Sequence, residues 1–128
     1  MSAATEYNFA FIRAVAHPYL GVFVNVGVVL HARTAGFLRA RVVSDPAVLR
    51  ALVPGADADL LARYLDACRA ICDGDPAAGP VALAPTSERF HWLTSPRSDV
   101  IQPSPVHEGL CGDPQTTLDE LFDAFVRR

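Results

Sequence analysis

The sequence predicts one α+β domain in which a mainly antiparallel sheet of about three to five strands is flanked by about four helices. Three segments in the first third of the chain alternate as strands do, and two later segments carry apolar residues at helical spacing. With 128 residues, of which 51% are hydrophobic and 20% charged, the chain is long enough to bury a core as a single domain.

The first strand is predicted over residues 6–16, where an aromatic row that ends in Arg13 faces away from a row of Ala and Ile. The second is predicted over residues 23–31, with four aliphatic residues on one face and Asn25 and Gly27 together on the other. Glycine inside a strand marks a bulge or a close approach by another backbone or a ligand. Arg13 either packs its stem and reaches solvent at the strand end, or is held at a site by the sheet.

The middle of the chain predicts a hairpin partner and two helices. Residues 37–43 form a third strand, antiparallel to the second. Asp45 and Pro46 begin a short helix as its cap and first residue. A longer helix covers residues 57–72, which carry an apolar stripe, and residues 81–83 predict a short further strand.

The last third is dominated by residues 86–112, TSERFHWLTSPRSDVIQPSPVHEGLCG, a polar stretch with the only Trp of the chain. It predicts a short helix over residues 87–94, with Trp92 among the residues packed inward. An edge strand or polyproline-like segment follows over residues 102–105, because Pro103 and Pro105 have no N–H to donate, and residues 106–110 form a last strand. Residues 113–126 predict the closing helix.

Two blocks resemble a known family. FVNVGVVL (residues 23–30) and ERFHWLTSPRSDVIQPSPVHEGLCGDP (residues 88–114) are similar to the signature blocks of the bacterial family called domain of unknown function 3037, and the closing LDELFDAFV is similar as well. The family has no established activity, and the resemblance implies a HipA-like kinase as a partner. Its motif residues stand here as Arg13, Asn25, Gly27, Arg89, Phe90, Trp92, Pro96, Arg97, Ser98, Gln102, Ser104, His107 and Gly109.

Composition excludes several classes. A net charge of −3 disfavours nucleic acid as a partner. All eleven basic residues are Arg, which reflects either coding bias or selection of forked hydrogen-bond donors. Three cysteines, two of them in a C-x3-C pair, do not make a zinc signature, so we expect neither a metal nor a cofactor. The start MSAATEYNF lacks the features of a signal peptide and no apolar run is long enough to span a membrane, so we expect a cytoplasmic protein.

The first hypothesis for function is a non-catalytic binding or regulatory module. Forked cations and hydroxyl groups suit a phosphate or carboxylate, on a small molecule or on a partner protein. We expect the guanidinium groups of Arg13, Arg89 and Arg97 to gather over one face of the sheet, with the proline segment as a lip. The predicted ligand-binding residues are Arg13, Asn25, Arg89, Trp92, Arg97, Ser98, Gln102, Ser104 and His107.

Two other hypotheses for the function remain open. In the second, the protein is a small hydrolase or transferase in which His107 activates Ser98 or Ser104, and Asp99 or Glu108 orients the ring. No strained nucleophile elbow or glycine-rich phosphate loop supports it. In the third, the Arg and Ser side chains fasten the proline segment to the sheet, because such segments lack hydrogen bonds of their own.

Overall fold

The computed structural model describes residues 4–15, 21–96 and 100–126, and the predicted α+β class is confirmed there. The five strands are β1 (Thr5–Ala14), β2 (Val24–Ala32), β3 (Phe37–Val42), β4 (Ile101–Pro103) and β5 (His107–Cys111). The four α-helices are α1 (Pro46–Leu52), α2 (Ala58–Cys72), α3 (Thr86–Thr94) and α4 (Pro114–Phe125). Residues 81–83 are not a strand as predicted, because Pro80–Leu83 forms a 3₁₀ helix after Gly79.

The sheet is antiparallel throughout, with β1 at its centre. β2 lies between β1 and β3, while β4 and β5 pair with successive parts of the other edge of β1. Residues 104–106 join the two short strands, and the first of them, Ser104, donates its N–H to Phe11 O at 2.9 Å and accepts from Phe11 N through Oγ at 2.8 Å. The hydroxyl therefore continues the ladder where the backbone changes from one strand to the next.

Helices cover both faces of the sheet. The core on one face packs the sheet against α1, α2 and α3, with Leu49, Leu61, Leu65 and Phe90 from the helices. The core on the other face packs the aromatic row of β1 against α4. Aspartate caps begin α1, α2 and α4: for example, Asp57 Oδ1 accepts from Leu60 N at 3.1 Å.

A β-bulge interrupts β2. Ile12 pairs with Gly27 and Arg13 pairs with Asn25, so Val26 is an extra residue with no Cα partner on β1. The space in front of Gly27 is filled by neighbouring strands. A Cβ there would lie 2.9 Å from Val42 Cγ1 and 3.3 Å from Ile12 Cδ1.

The bulge reverses the alternation that the sequence predicts for β2. Val26 packs into the core beside α1 and α2, whereas Val28 and Leu30 pack against α4. The prediction of one continuous aliphatic face is therefore wrong. Asn25 and Gly27 also lie on opposite faces instead of sharing one, because a single inserted residue turns every later side chain over.

Candidate functional site

The predicted arginine cluster does not form. Arg13 lies on the α4 face of the sheet, where its Nε donates to Gln102 O at 3.3 Å, its Nη2 donates to Pro103 O at 3.1 Å, and its guanidinium stacks 4.1 Å from the ring centroid of Phe23. Arg89 lies on α3, on the other side of the sheet. The expectation that both gather over one wall is wrong, because strand alternation and the position of α3 place them on opposite faces.

Arg89 fastens the end of α2. Its Nη1 donates to Ile71 O at 3.0 Å and Cys72 O at 2.9 Å, and its Nε donates to Ala84 O at 2.9 Å. Gly74 turns the chain away at φ +72°, and a Cβ there would lie 3.4 Å from Arg89 Nη1. The guanidinium thus donates to carbonyl groups in the last turn of α2, including Ile71 O, which also accepts from Gly74 N at 3.1 Å. The fastening hypothesis describes Arg13 and Arg89 better than the anion-binding one.

The other predicted site residues divide between internal contacts and the surface. Asn25 Nδ2 donates to Phe125 O at 3.3 Å at the end of α4. Gln102 lies on β4, where its carbonyl accepts from Arg13. Trp92, predicted to pack inward, is 43% exposed on α3. Arg97 and Ser98 lie outside the described residues.

The proposed histidine and serine pair has other partners. Ser104 is buried and its hydroxyl is committed to the backbone: Oγ accepts from Phe11 N and donates to Pro105 O at 2.9 Å. His107 is exposed and lies against Phe9 on the α4 face, with ring centroids 5.2 Å apart. Asp99, one of the groups proposed to orient that ring, lies outside the described residues. A hydroxyl engaged in this way is a structural group and is not prepared for nucleophilic attack.

A groove that the sequence analysis did not identify lies on the other face, between α3 and the β1–β5 edge. It has a volume of about 710 Å³. Asn8 and His31 lie at its floor, where they face each other across β1 and β2, and Glu108 continues the row on β5 opposite Asn8. Directly opposed residues on neighbouring strands have Cα atoms roughly 4.5–5.5 Å apart, so the three form a polar row across the sheet.

His31 is the most buried polar residue of the groove, with 5% of its surface exposed. Its Nε2 lies 3.1 Å from Thr86 Oγ1, and its ring stacks on Phe90 with centroids 5.3 Å apart. Burial, followed by the charges of Arg33 and Arg89, lowers the pKa of His31 below its ordinary value of 6.5. The ring is therefore neutral near neutral pH and offers one donor and one acceptor.

The second ring nitrogen of His31, Nδ1, is not fully buried. Among the described residues, every buried side-chain nitrogen or oxygen has a hydrogen-bond partner. Nδ1 forms no such hydrogen bond in that part of the chain, so it must be accessible, and His31 is among the residues that line the groove. Asn8 beside it contributes an amide. The floor can therefore recognise a polar group by hydrogen bonds.

The walls of the groove differ in chemistry. The α3 wall presents Ser87, His91 and Thr94, which recur at helical spacing on one face. The β5 wall presents two apolar side chains, Val106 and Leu110, of which Leu110 is 67% exposed. Such a combination of an apolar rim and a polar floor is suited to binding.

Two carboxylates and one guanidinium complete the lining. Glu6 and Glu108 stand on the β1–β5 side, and Arg33 follows the end of β2. No group of His, Cys, Asp and Glu in the described part of the chain has the arrangement of a metal site. The charged groups that the groove offers to a ligand are these two carboxylates and one guanidinium.

A family model described as protein of unknown function (DUF3037) matches residues 9–126. The chain belongs to this family. The match confirms the resemblance of the two sequence blocks to this family. The family is described as being of unknown function, so membership assigns no activity to the chain. Searches of curated proteins and of solved structures gave no match. Among the described residues of this DUF3037 protein, no helix has the length and apolar character needed to cross a membrane.

The residues of the groove were missed because they come from four separate parts of the chain. Asn8 and His31 are each a polar residue between two apolar neighbours within a strand, which is the one local signal that the sequence offers. Their contact depends on the register of β1 with β2, which no motif spacing reveals.

Proposed function

We propose that this DUF3037 protein is a non-catalytic binding or regulatory module that receives part of a partner protein in the groove between α3 and β5. The observation that carries the proposal is the groove itself: about 710 Å³ of open space with exposed Val106 and Leu110 at its rim and polar side chains at its floor. Exposed apolar side chains beside a concave polar surface are a feature of protein interaction sites.

A partner protein has more support than a free phosphate or carboxylate. Arg13 and Arg89 donate to backbone carbonyl groups, which leaves Arg33 as the guanidinium that lines the groove among the described residues. A single exposed cation is a weak anion site. The resemblance to the family makes a HipA-like kinase the first partner to test.

Site-specific photo-crosslinking tests the proposal. A photoreactive phenylalanine analogue is placed at Ser87, which is exposed in the groove, and in a matched variant at Arg63, which is exposed on α2 away from it. Each variant is expressed in native cells and is also mixed with a purified HipA-like kinase of the same genome. We expect one defined protein adduct at Ser87 and none at Arg63.

Two results would contradict this function. Absence of any adduct at Ser87, or equal adducts at both positions, would remove the groove as the binding surface. Turnover of a screened substrate that His107→Ala abolishes would favour the small hydrolase or transferase instead.

A further inference from the structure

The outer edge of β5 is open. β5 pairs with β1 on one side, and no strand of the described part of the chain pairs with its other side. In an antiparallel strand, alternate residues bond one neighbour, so the remaining N–H and C=O groups of β5 point away from β1. Residues 107–111 (HEGLC) contain no Pro, so each residue of β5 keeps the N–H that an added strand could bond.

Two carboxylates lie on the groove face near this edge. Glu6 pairs with Leu110 and Glu108 pairs with Asn8, so the two residues are diagonal neighbours on the groove face, with Cα atoms roughly 7–8 Å apart. Neither has an ion-pair partner among the described residues. Arg33 directly follows β2, two strands from Glu108 but only one strand from Glu6, because it stands two residues beyond the pairing of His31 with Asn8.

The groove beside this edge is also lined by His31, a polar residue of which only 5% of the surface is exposed. A strand added to β5 would direct every second side chain toward the groove and α3. Its backbone would meet the open edge, and its cationic side chains would meet the carboxylates of Glu6 and Glu108.

We propose that the partner segment is an extended basic stretch of polypeptide that adds to β5 as a further strand of the sheet. This inference rests on the proposed function, and it specifies the chemistry of the partner: alternating Arg or Lys in a β-strand. A second copy of this chain fits less well. Pairing two β5 edges would bring together four carboxylates, from Glu6 and Glu108 of both copies, in a protein of net charge −3.

The test uses a peptide of about nine residues, the length of an ordinary strand, with alternating lysine and valine and blocked ends. Fluorescence anisotropy measures its affinity, and amide NMR spectra of the protein locate it. We expect shifts at the amides of β5 and at Asn8, with slower hydrogen exchange on β5. N-methylation of alternate peptide amides should abolish binding, because it removes the edge hydrogen bonds. A peptide of alternating glutamate and valine should not bind.

Charge variants test the recognition of lysine. Glu108→Gln should weaken peptide binding about two- to fivefold, and Glu6→Gln with Glu108→Gln about tenfold, the range of exposed ion pairs. Glu120→Gln is the matched control, because Glu120 is exposed on α4 on the opposite side of the sheet. Raising salt from about 0.05 M to about 0.5 M should weaken the wild-type complex and narrow these differences.

Three results would overturn the inference: no binding of the basic peptide, equal binding of the glutamate peptide, or amide shifts that avoid β5. Dimerisation through β5 seen by sedimentation would also overturn it, because a second copy would then occupy the edge. These failures are distinct from failure of the proposed function. If Ser87 forms an adduct with a partner that does not compete with the basic peptide, the groove remains the binding surface and the added-strand inference is wrong.

Discussion

Replacing Arg89 with methionine would remove the fork that joins α3 to the end of α2 while keeping most of the apolar stem. Three donor–acceptor contacts of 2.9–3.0 Å would be lost, to Ala84 O, Ile71 O and Cys72 O. If Arg89 served a ligand, its loss would leave stability unchanged. Because its donors are used internally, we expect the loss to appear in unfolding.

The size of the effect follows from those contacts. A hydrogen bond from a charged donor contributes roughly 1.5–3 kcal/mol. Arg89 is only half-buried and one nitrogen serves two carbonyls, so about 1 kcal/mol for each contact is the appropriate scale, or about 3 kcal/mol in total. For a domain of this size that lowers the melting temperature by about 10–15 °C. Arg89→Lys keeps the charge without the fork and should lose about 2 kcal/mol.

Thermal and urea unfolding measure both variants. Arg63→Met is the control, because Arg63 is exposed on the neighbouring helix α2 and should change stability by no more than about 0.5 kcal/mol. A melting temperature of Arg89→Met within about 2 °C of the wild type would refute the fastening role. So would full recovery of stability by lysine, since a single ammonium cannot reproduce the geometry of the fork.

Three further perturbations test other parts of the structure. The pKa of His31 is lowered in the folded protein, so below pH 6.5 the unfolded chain binds a proton that the folded chain does not. The free energy of unfolding should therefore fall as the pH drops below 6.5. His31→Gln should reduce that fall in urea titrations between about pH 7.5 and about pH 5. Ser104→Ala leaves the N–H of Phe11 without its acceptor, which should cost about 1–3 kcal/mol in urea unfolding and accelerate exchange of that amide. Gly109→Ala would place a Cβ 2.6 Å from the ring of Tyr7, so it should cost about 1–3 kcal/mol, and less when Tyr7→Leu is also present.

Each of these has a contrary outcome. An unchanged pH profile in His31→Gln would show that other groups cause the acid loss. Normal exchange of the Phe11 amide in Ser104→Ala would show that water replaces the hydroxyl without penalty. Additive costs of Gly109→Ala and Tyr7→Leu would mean that the ring and the added methyl group do not meet.

The helices could be predicted because their signals are local. Asp45, Asp57 and Asp113 each stand at the start of a helix and accept a hydrogen bond from its first turn, as their positions before apolar periods predict. Gly74 ends α2 with a positive φ for the same local reason. Such features depend on residues a few positions apart.

The bulge and the arginine contacts could not be predicted because their causes are distant. Val26 becomes an extra residue only through the register of β2 against β1. Arg13 bonds the carbonyl groups of residues 102 and 103, about ninety positions away in the sequence. An arginine looks the same in a sequence whether its guanidinium donates to a ligand or to a backbone carbonyl group. The choice between binding and fastening was therefore open until the partners of each nitrogen were known.

The connection between β4 and β5 has a consequence for how this chain tolerates change in length. Ser104 is the hinge at which one edge of β1 passes from the first short strand to the second. Deleting a single residue between Pro103 and His107 would rotate the following strand by half a period. Glu108 and Leu110 would then turn toward α4, and the groove would lose its acidic and apolar wall while the sheet kept its strands. The linker of residues 104–106 should therefore tolerate substitutions far better than insertions or deletions.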